Sequence, residues 1–475
     1  MQPSVYQEDI LDRVLSGQSL TINAVAGSGK TTTHSYIIQN LPTKNVKYLA
    51  FNSSVASTMN SRIGDSSNTI AMTMHSHLLK EYTRLYGYTK LSINKDYFTC
   101  SNVLQYEYNL GKSPKLNEYK SITQQVFRLL MAENLEPTKT NIDFITNKYD
   151  LETFELIYDV ILTIWERRFW SIKKYGLSFD TLINWFASNP SELAKLKKYD
   201  VLCLDECQDF NPSFLTIAQA MAGNIVVAAG DPMQSIYGFT GAMLDSFDRV
   251  KSLLCQNNEA SLPISYRVPK SHVDLVSDLV PHMISNKDTG QVLTNYNYTS
   301  HFPSDRYIVL ARKGRDLVAE HARVTKLGIN AAIDDSTILD NAYYYIKKGM
   351  HFGKHISEAI TNIETLCDTK IAIAQVKGKP STFWEDLKDT SLLLLEESIR
   401  CGVTNIVQFR EYLDTKHKNN CDSANVLLRT IHKAKGSEAT HVVILNHNDL
   451  GDDNQQEANV KYVGLTRSLD TLILN

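Results

Sequence analysis

The 475-residue sequence contains no apolar run near the roughly 18 residues that a membrane helix needs, and no leader pattern opens it. These absences argue against a membrane-spanning or exported chain. Cysteine is sparse. The seven, Cys100, Cys203, Cys207, Cys255, Cys367, Cys401 and Cys421, include no Cys-x-x-Cys pair and no finger spacing. A disulfide framework is thereby excluded, as is a zinc finger, and the thiols read as reduced core residues. Neither sign of charge is in excess, because 49 Lys and Arg against 52 Asp and Glu leave a net charge of −3. Retention on a polyanion by bulk charge is excluded, so any nucleic-acid contact must lie in one local groove with modest, salt-sensitive affinity. There is no internal repeat, low-complexity segment or long disordered linker. What is abundant is core material: 43% of residues are hydrophobic, ample at this length for three or four domains of ~150 residues.

Two stretches carry chemistry. Ala24-Val25-Ala26-Gly27-Ser28-Gly29-Lys30-Thr31 follows an apolar run, Leu20 to Val25, and precedes a helix-like run from Thr32 to Asn40. That strand–loop–helix setting suits a phosphate loop. Gly27 and Gly29 let backbone N–H groups turn toward phosphate oxygens, Lys30 reaches the β/γ-phosphates, and the Thr31 hydroxyl is placed to ligate Mg²⁺. The first glycine of the strict pattern is Ala24 here. Leu202-Cys203-Leu204-Asp205-Glu206-Cys207-Gln208-Asp209 is the second stretch. Asp205 ends an apolar strand and would hold the metal, directly or through water, and Glu206 is the base that orients the attacking water. Together the two stretches read as an NTPase.

Further motifs narrow the class. Gly230-Asp231-Pro232-Met233-Gln234-Ser235-Ile236-Tyr237-Gly238-Phe239 follows the apolar strand Ile225 to Ala229, and a polar glutamine there, Gln234, can sense a γ-phosphate. Downstream come Ser265-Tyr266-Arg267, then Thr430 to Glu438 (TIHKAKGSE), then Tyr462-Val463-Gly464-Leu465-Thr466-Arg467. In this order, from Gln7 to Arg467, the motifs resemble those of the superfamily 1 DNA helicases of the UvrD/Rep type, over essentially the whole chain. The resemblance implies an α/β fold of two RecA-like parallel-sheet cores (P-loop NTPase) with two mainly helical insertions. It also implies ATP and Mg²⁺ as cofactors, nucleotide between the cores, and single-stranded DNA or duplex junctions as substrate.

Site residues carry over from the resemblance by motif position. Gln7 matches the adenine-reading glutamine, whose carboxamide both donates and accepts. Gly27, Ser28, Gly29, Lys30, Thr31 and Thr32 would cradle the phosphates. Tyr266 would stack on the base, Arg267 would touch the γ-phosphate, Glu438 would contact the ribose, and Arg467 would be the arginine finger. The implied catalytic set is Lys30, Glu206, Gln234, Arg267 and Arg467. On the DNA side the matches are Phe51, Asn52, His75, Tyr237, Phe239, His432 and Lys435, since single strands are held by aromatic stacking and by polar and basic groups on phosphates. Any one of these aromatics is equally readable as a core residue.

Departures from the pattern qualify the coupling. Val55 and Thr240 stand where a lysine and an arginine are usual, and Ala458-Asn459 replaces an arginine pair, although Glu457 is kept. The chain ends eight residues after Arg467, without the hairpin with which relatives wedge a duplex. Translocation, 3′→5′ by resemblance, is therefore expected more firmly than unwinding. The expected role is in replication, repair or recombination, with proteins of those processes as possible partners. A monomer is expected, intracellular, nucleoid-associated or in a host cytoplasm if viral. The competing class is an ATP-gated DNA-binding switch or recombination regulator that needs no turnover and no processive unwinding.

Motif clustering sets the expected organisation. Residues 1–85 and 190–261 would form the first core, with 86–189 a helical insertion in which Ser121 to Met131 and Leu151 to Phe169 show helical spacing. Residues 262–334 and 424–475 would form the second core. Here Tyr307 to Arg312 reads as a strand, with a helix to Leu327, and strands resume at Asn425 to Thr430. The reduced, mixed-character insertion 335–423 includes a helical stretch, Asp389 to Arg400. Three decoys take the plainer reading. Asn147-Lys148-Tyr149-Asp150 spells a guanine-reading motif but precedes Asp205 inside the helical insertion. Leu193 to Asp200 and Lys347-Lys348 read as solvated faces, and Asp449, Asp452 and Asp453 as a solvated turn.

Overall fold

The computed structural model describes all residues except 1, 42–43, 51, 65–68, 88–102, 112–115, 152, 168–177, 239–240, 302–305, 349, 351–354, 377, 379–380, 418–420 and 452–453. Two compact units divide the chain, Met1–Pro263 and Ile264–Asn475.

In the first unit, short apolar runs become strands buried on both faces, as a parallel sheet covered by helices requires. These are β1 (Leu20–Ala24), β2 (Val46–Ala50), β3 (Ala71–Thr73), β4 (Tyr199–Leu204), β5 (Ala222–Gly230) and β6 (Glu259–Leu262). Their order is β3-β2-β4-β5-β1-β6, with every pairing parallel. Alternation of side chains splits the sheet into two cores. On one face Leu20, Ile22, Val46, Tyr48, Val201, Cys203, Ile225 and Val227 pack with helices Val5–Leu15, Lys30–Gln39 and Ser53–Ile63. On the other, Leu49, Leu202, Leu204, Val226 and Ala228 meet helices Met74–Tyr86, Phe179–Ala187, Pro212–Met221 and Ser246–Leu254. Because β5 lies between β1 and β4 and all three are parallel, the loops after these strands leave the sheet at one edge.

The helices Leu116–Ala132, Lys139–Lys148 and Ile157–Arg167 gather a separate core around Phe127, Leu130, Ile145 and Ile161. The helix expected from Leu151 starts at Ile157, a correction with a clear cause. Leu151, Phe154 and Leu156 pack on that same core from irregular backbone, with Phe154 stacked on Tyr119 at 4.3 Å, so apolar spacing continues without helix. Residues 168–169 of that expected helix lie outside the described residues. The guanine-like tetrapeptide ends the helix Lys139–Lys148, where the Tyr149 hydroxyl donates to Glu133 at 2.6 Å.

A second six-stranded parallel sheet orders the second unit. It comprises β9 (Gln291–Thr294), β10 (Tyr307–Ala311), β11 (Ala331–Ile333), β12 (Val426–Thr430), β13 (Ala439–Ile444) and β14 (Ser468–Leu474), in the order β11-β12-β10-β13-β14-β9. Two-residue strands β7 (Ile264–Ser265) and β8 (Ile284–Ser285) pair beside it. Residues 335–423 form helices Ser336–Lys348, Glu358–Val376, Thr382–Arg400 and Ile406–Lys416. Leu339, Ile363, Leu394 and Phe409 share one cluster with Val309, Ile333 and Leu428 of the sheet. This insertion therefore packs into its core, whereas the first insertion has a cluster of its own. The described cysteines are free thiols, and among the described residues no helix is long and apolar enough to cross a membrane.

Candidate nucleotide and nucleic-acid site

The phosphate loop joins β1 to the helix Lys30–Gln39. Gly27 and Gly29 hold φ of 74° and 86°, left-handed values that a side chain would strain. Gly29 is the helix N-cap and no side chain caps it, so the first-turn N–H groups suit an anion. Ser28 is buried and its Oγ has no hydrogen-bond partner, which fits a group made to meet a phosphate oxygen. Thr32 already accepts from Arg62 at 2.8 Å. Gln7 is buried beside the loop. Its Oε1 accepts the Ser4 N–H at 2.9 Å in a capping box, and its Nε2 donates to Thr33 Oγ1 at 2.9 Å. One carboxamide hydrogen and one lone pair remain for a base edge.

Carboxylates converge on the same edge. Lys30 Nζ lies 3.3 Å from Glu206. Burial would lower the Lys30 pKa, but Glu206, Asp231 and Asp205 outweigh it and hold the ammonium above its ordinary range. Asp205 is 2% exposed, and burial, then the Glu206 charge, push its carboxyl upward against Lys30. It accepts the Tyr48 hydroxyl at 2.6 Å on Oδ2 and the Glu206 N–H at 3.0 Å on Oδ1. Three carboxylates around one ammonium leave an excess of negative charge, and with the Thr31 hydroxyl nearby in sequence they form an oxygen set suited to Mg²⁺. No group of three or more His, Cys, Asp or Glu able to hold a metal by itself occurs among the described residues.

Two residues that motif reading passed over link these parts. Gln208 Nε2 donates to Glu206, its Oε1 accepts the Asp231 N–H at 3.1 Å, and Asp231 Oδ2 accepts Gln234 Nε2 at 2.7 Å. The run Lys30, Glu206, Gln208, Asp231, Gln234 is thus continuous from the phosphate loop to the loop that carries Tyr237. Both missed residues stand inside quoted motifs, but their role depends on β4 and β5 being neighbours.

The nucleic-acid candidates of this unit differ in setting. Phe51 and Phe239 lie outside the described residues. Asn52 is exposed and caps the helix Ser53–Ile63, its Oδ1 accepting from Val55 at 2.9 Å. His75 is half-buried between Phe179 and Phe214, at 4.9 and 5.5 Å, and burial keeps it neutral. Tyr237 is partly exposed.

In the second unit Tyr266 is 44% exposed, as a stacking ring requires. Arg267 Nη1 donates to Glu438 at 3.1 Å, pairing the expected γ-phosphate and ribose contacts. Arg467 is 2% exposed, its Nε donating to the Val463 carbonyl at 2.8 Å and its Nη2 to Thr466 Oγ1 at 2.9 Å. Glu457 holds Arg312 through two bonds of 3.1 and 2.8 Å. His432 is half-buried. Burial, then the Arg312 charge, lower its pKa to about 4. Lys435 is half-buried at the end of the helix Ile431–Ala434. Asp449 pairs with Lys313 at 3.0 Å.

Comparison with known proteins places the chain among described families. The family described as an AAA domain matches residues 7–240, and the UvrD-like helicase C-terminal domain matches residues 425–474, together more than half of the chain. The chain is also similar to the F-box DNA helicase protein 1 of Schizosaccharomyces pombe, with 22% identity over 510 residues, covering 97% of this chain and 56% of that protein. It therefore spans about half the length of that relative.

Proposed function

The chain belongs to the UvrD/Rep-like helicases, and from that premise we propose that it is an ATP-driven motor on single-stranded DNA. The observation that carries this reading is the continuous run from Lys30 through Glu206, Gln208 and Asp231 to Gln234. A change at the γ-phosphate has a hydrogen-bonded route to the segment bearing Tyr237 and Phe239.

In this reading Gly27, Ser28, Gly29, Lys30, Thr31 and Thr32 hold the phosphates, and Gln7 and Tyr266 hold the base. Glu206 orients the attacking water and takes its proton, which passes to solvent when the phosphate leaves and the pair with Lys30 re-forms, because the ammonium favours the ionised carboxylate. Mg²⁺, held by Thr31 and Asp205, supplies charge neutralisation on the phosphates when bound. Arg267 and Arg467 stabilise charge on the transferring group, and Glu438 leaves Arg267 for the ribose. Gln234 reports the state of the γ-phosphate. Phe51, Asn52, His75, Tyr237, Phe239, His432 and Lys435 grip the strand, alternately tightened and relaxed as ATP turns over. Movement is 3′→5′, in service of replication, repair or recombination.

One observation favours a second reading, an ATP-gated binding switch: the Arg467 guanidinium is bonded within its own unit. Steady-state ATPase assays with and without single-stranded DNA separate the two. Strong stimulation by DNA, lost by a factor of about 10³ or more in Arg467→Ala, supports the motor. Unstimulated hydrolysis, with DNA affinity differing between ATP and ADP, supports the switch.

A further inference from the structure

We propose that Tyr48 is a positioning residue for Asp205, its hydroxyl fixing the carboxylate that would face the nucleotide-bound cation. This rests on the nucleotide reading above. Tyr48 is central in β2, fully buried, and paired in register with Cys203 of β4. Asp205 follows Cys203 by two residues, hence on the same face and about 7 Å further along, a distance a tyrosine spans. The hydroxyl meets Oδ2 at 2.6 Å while the Glu206 N–H meets Oδ1 at 3.0 Å. One bond at each oxygen stops rotation of the carboxylate and leaves a lone pair on each. The ring is held in turn by His34, edge-on at 5.3 Å and 76°, on the helix that follows the phosphate loop. Tyr48 thus ties the phosphate-loop helix to the strand that presents Asp205.

A purely structural residue at this place would need no hydroxyl, because phenylalanine fills the same volume and avoids burying a polar group. The hydroxyl is the donor of the bond to Oδ2, since an ionised carboxylate only accepts. Groups that orient a metal ligand typically change metal affinity about 10–100-fold when removed.

The test is Tyr48→Phe, read by binding of a fluorescent ADP analogue in Mg²⁺ and in EDTA, and by Mn²⁺ affinity of the ADP complex measured by electron paramagnetic resonance. The expected result is a loss of roughly tenfold in Mn²⁺ affinity and in the Mg²⁺ enhancement of ADP binding, with EDTA-state ADP affinity unchanged. A variant that keeps the wild-type Mg²⁺ enhancement overturns the role of Tyr48 alone. A wild type that fails to bind ADP overturns the nucleotide reading and this inference with it. Should Tyr48→Phe melt below the assay temperature, 3-fluorotyrosine placed at position 48 gives a second measurement. Its ¹⁹F resonance moves with Mg²⁺·ADP beyond any shift with ADP alone if the inference holds, and responds equally to both if it does not.

Discussion

Glu206 holds φ of 52°, a left-handed value unusual for a residue with a side chain, just after β4. Such a conformation costs on the order of 1–2 kcal/mol, and here it aims the carboxylate at Lys30 and Gln208. Glu206→Gln keeps the shape and removes the base, so kcat falls about 10²–10⁴-fold while ADP affinity changes by no more than a few-fold. Parallel loss of ADP binding would instead make Glu206 a binding residue. Glu438 tests a different balance. Its pair with Arg267 is half-exposed, with side-chain exposures of 50% and 20%, and such pairs contribute ~0–1 kcal/mol after solvent screening. Glu438→Gln therefore leaves thermal unfolding nearly unmoved and raises KM for ATP several-fold. A lowered melting temperature with unchanged KM would assign the carboxylate to the ion pair instead of the ribose. The motif residues were legible singly because their chemistry is local. Tyr48, Gln208 and Asp231 were not, because their hydrogen bonds join segments that only the strand order makes adjacent.

At the scale of elements, the helix Val5–Leu15 begins with a capping box in which Gln7 also reaches Thr33. Gln7→Glu retains an acceptor for the Ser4 N–H but loses the donor. Losing the buried bond to Thr33 should then lower the unfolding free energy by about 1–3 kcal/mol, while preference for ATP over GTP disappears. Gln7→Ala should cost a further ~1 kcal/mol, as cap losses do. Competition of GTP against ATP in the two variants separates base reading from capping, and a retained ATP preference in Gln7→Glu would contradict base reading. The core strands were legible because a strand buried on both faces must be apolar throughout: Val46 to Ala50 is β2 itself, and Ile225 to Ala229 lies within β5. Periodicity failed where irregular chain packs as helices do, at Leu151 to Leu156. In residues 335–423, β-branched and aromatic side chains such as Tyr343 to Tyr345 weaken the helical signal. There the four helices are fixed by burial against the sheet of the second unit.

For the molecule as a whole, buried histidines set acid stability. His321 and His417 lie 4.5 Å apart between the helix Gly314–Lys326 and the end of Ile406–Lys416, with Tyr412, Lys416 and Glu397 around them. Burial lowers the His321 pKa to about 4, and burial with the His321 and Lys416 charges lowers that of His417 to about 3. Folded values below the unfolded one mean that the unfolded chain binds more protons from about pH 6.5 downward. Stability is complete above that value and falls on acidification by roughly 1.4 kcal/mol per pH unit for each histidine. His417→Leu should flatten the pH dependence of denaturant unfolding of the second unit between pH 6 and 4, whereas an unchanged slope would contradict the assignment. At this scale the order of motifs was the legible part. The proposed coupling between hydrolysis and movement was not, since it would depend on contacts distributed along the chain. Stopped-flow translocation on oligonucleotides of increasing length, labelled at either end, tests that coupling most directly. The motor account predicts an ATP-dependent arrival time at the 5′ label that grows linearly with length and disappears in Glu206→Gln. Signals independent of length at both ends, with only a nucleotide-dependent change in amplitude, would contradict it.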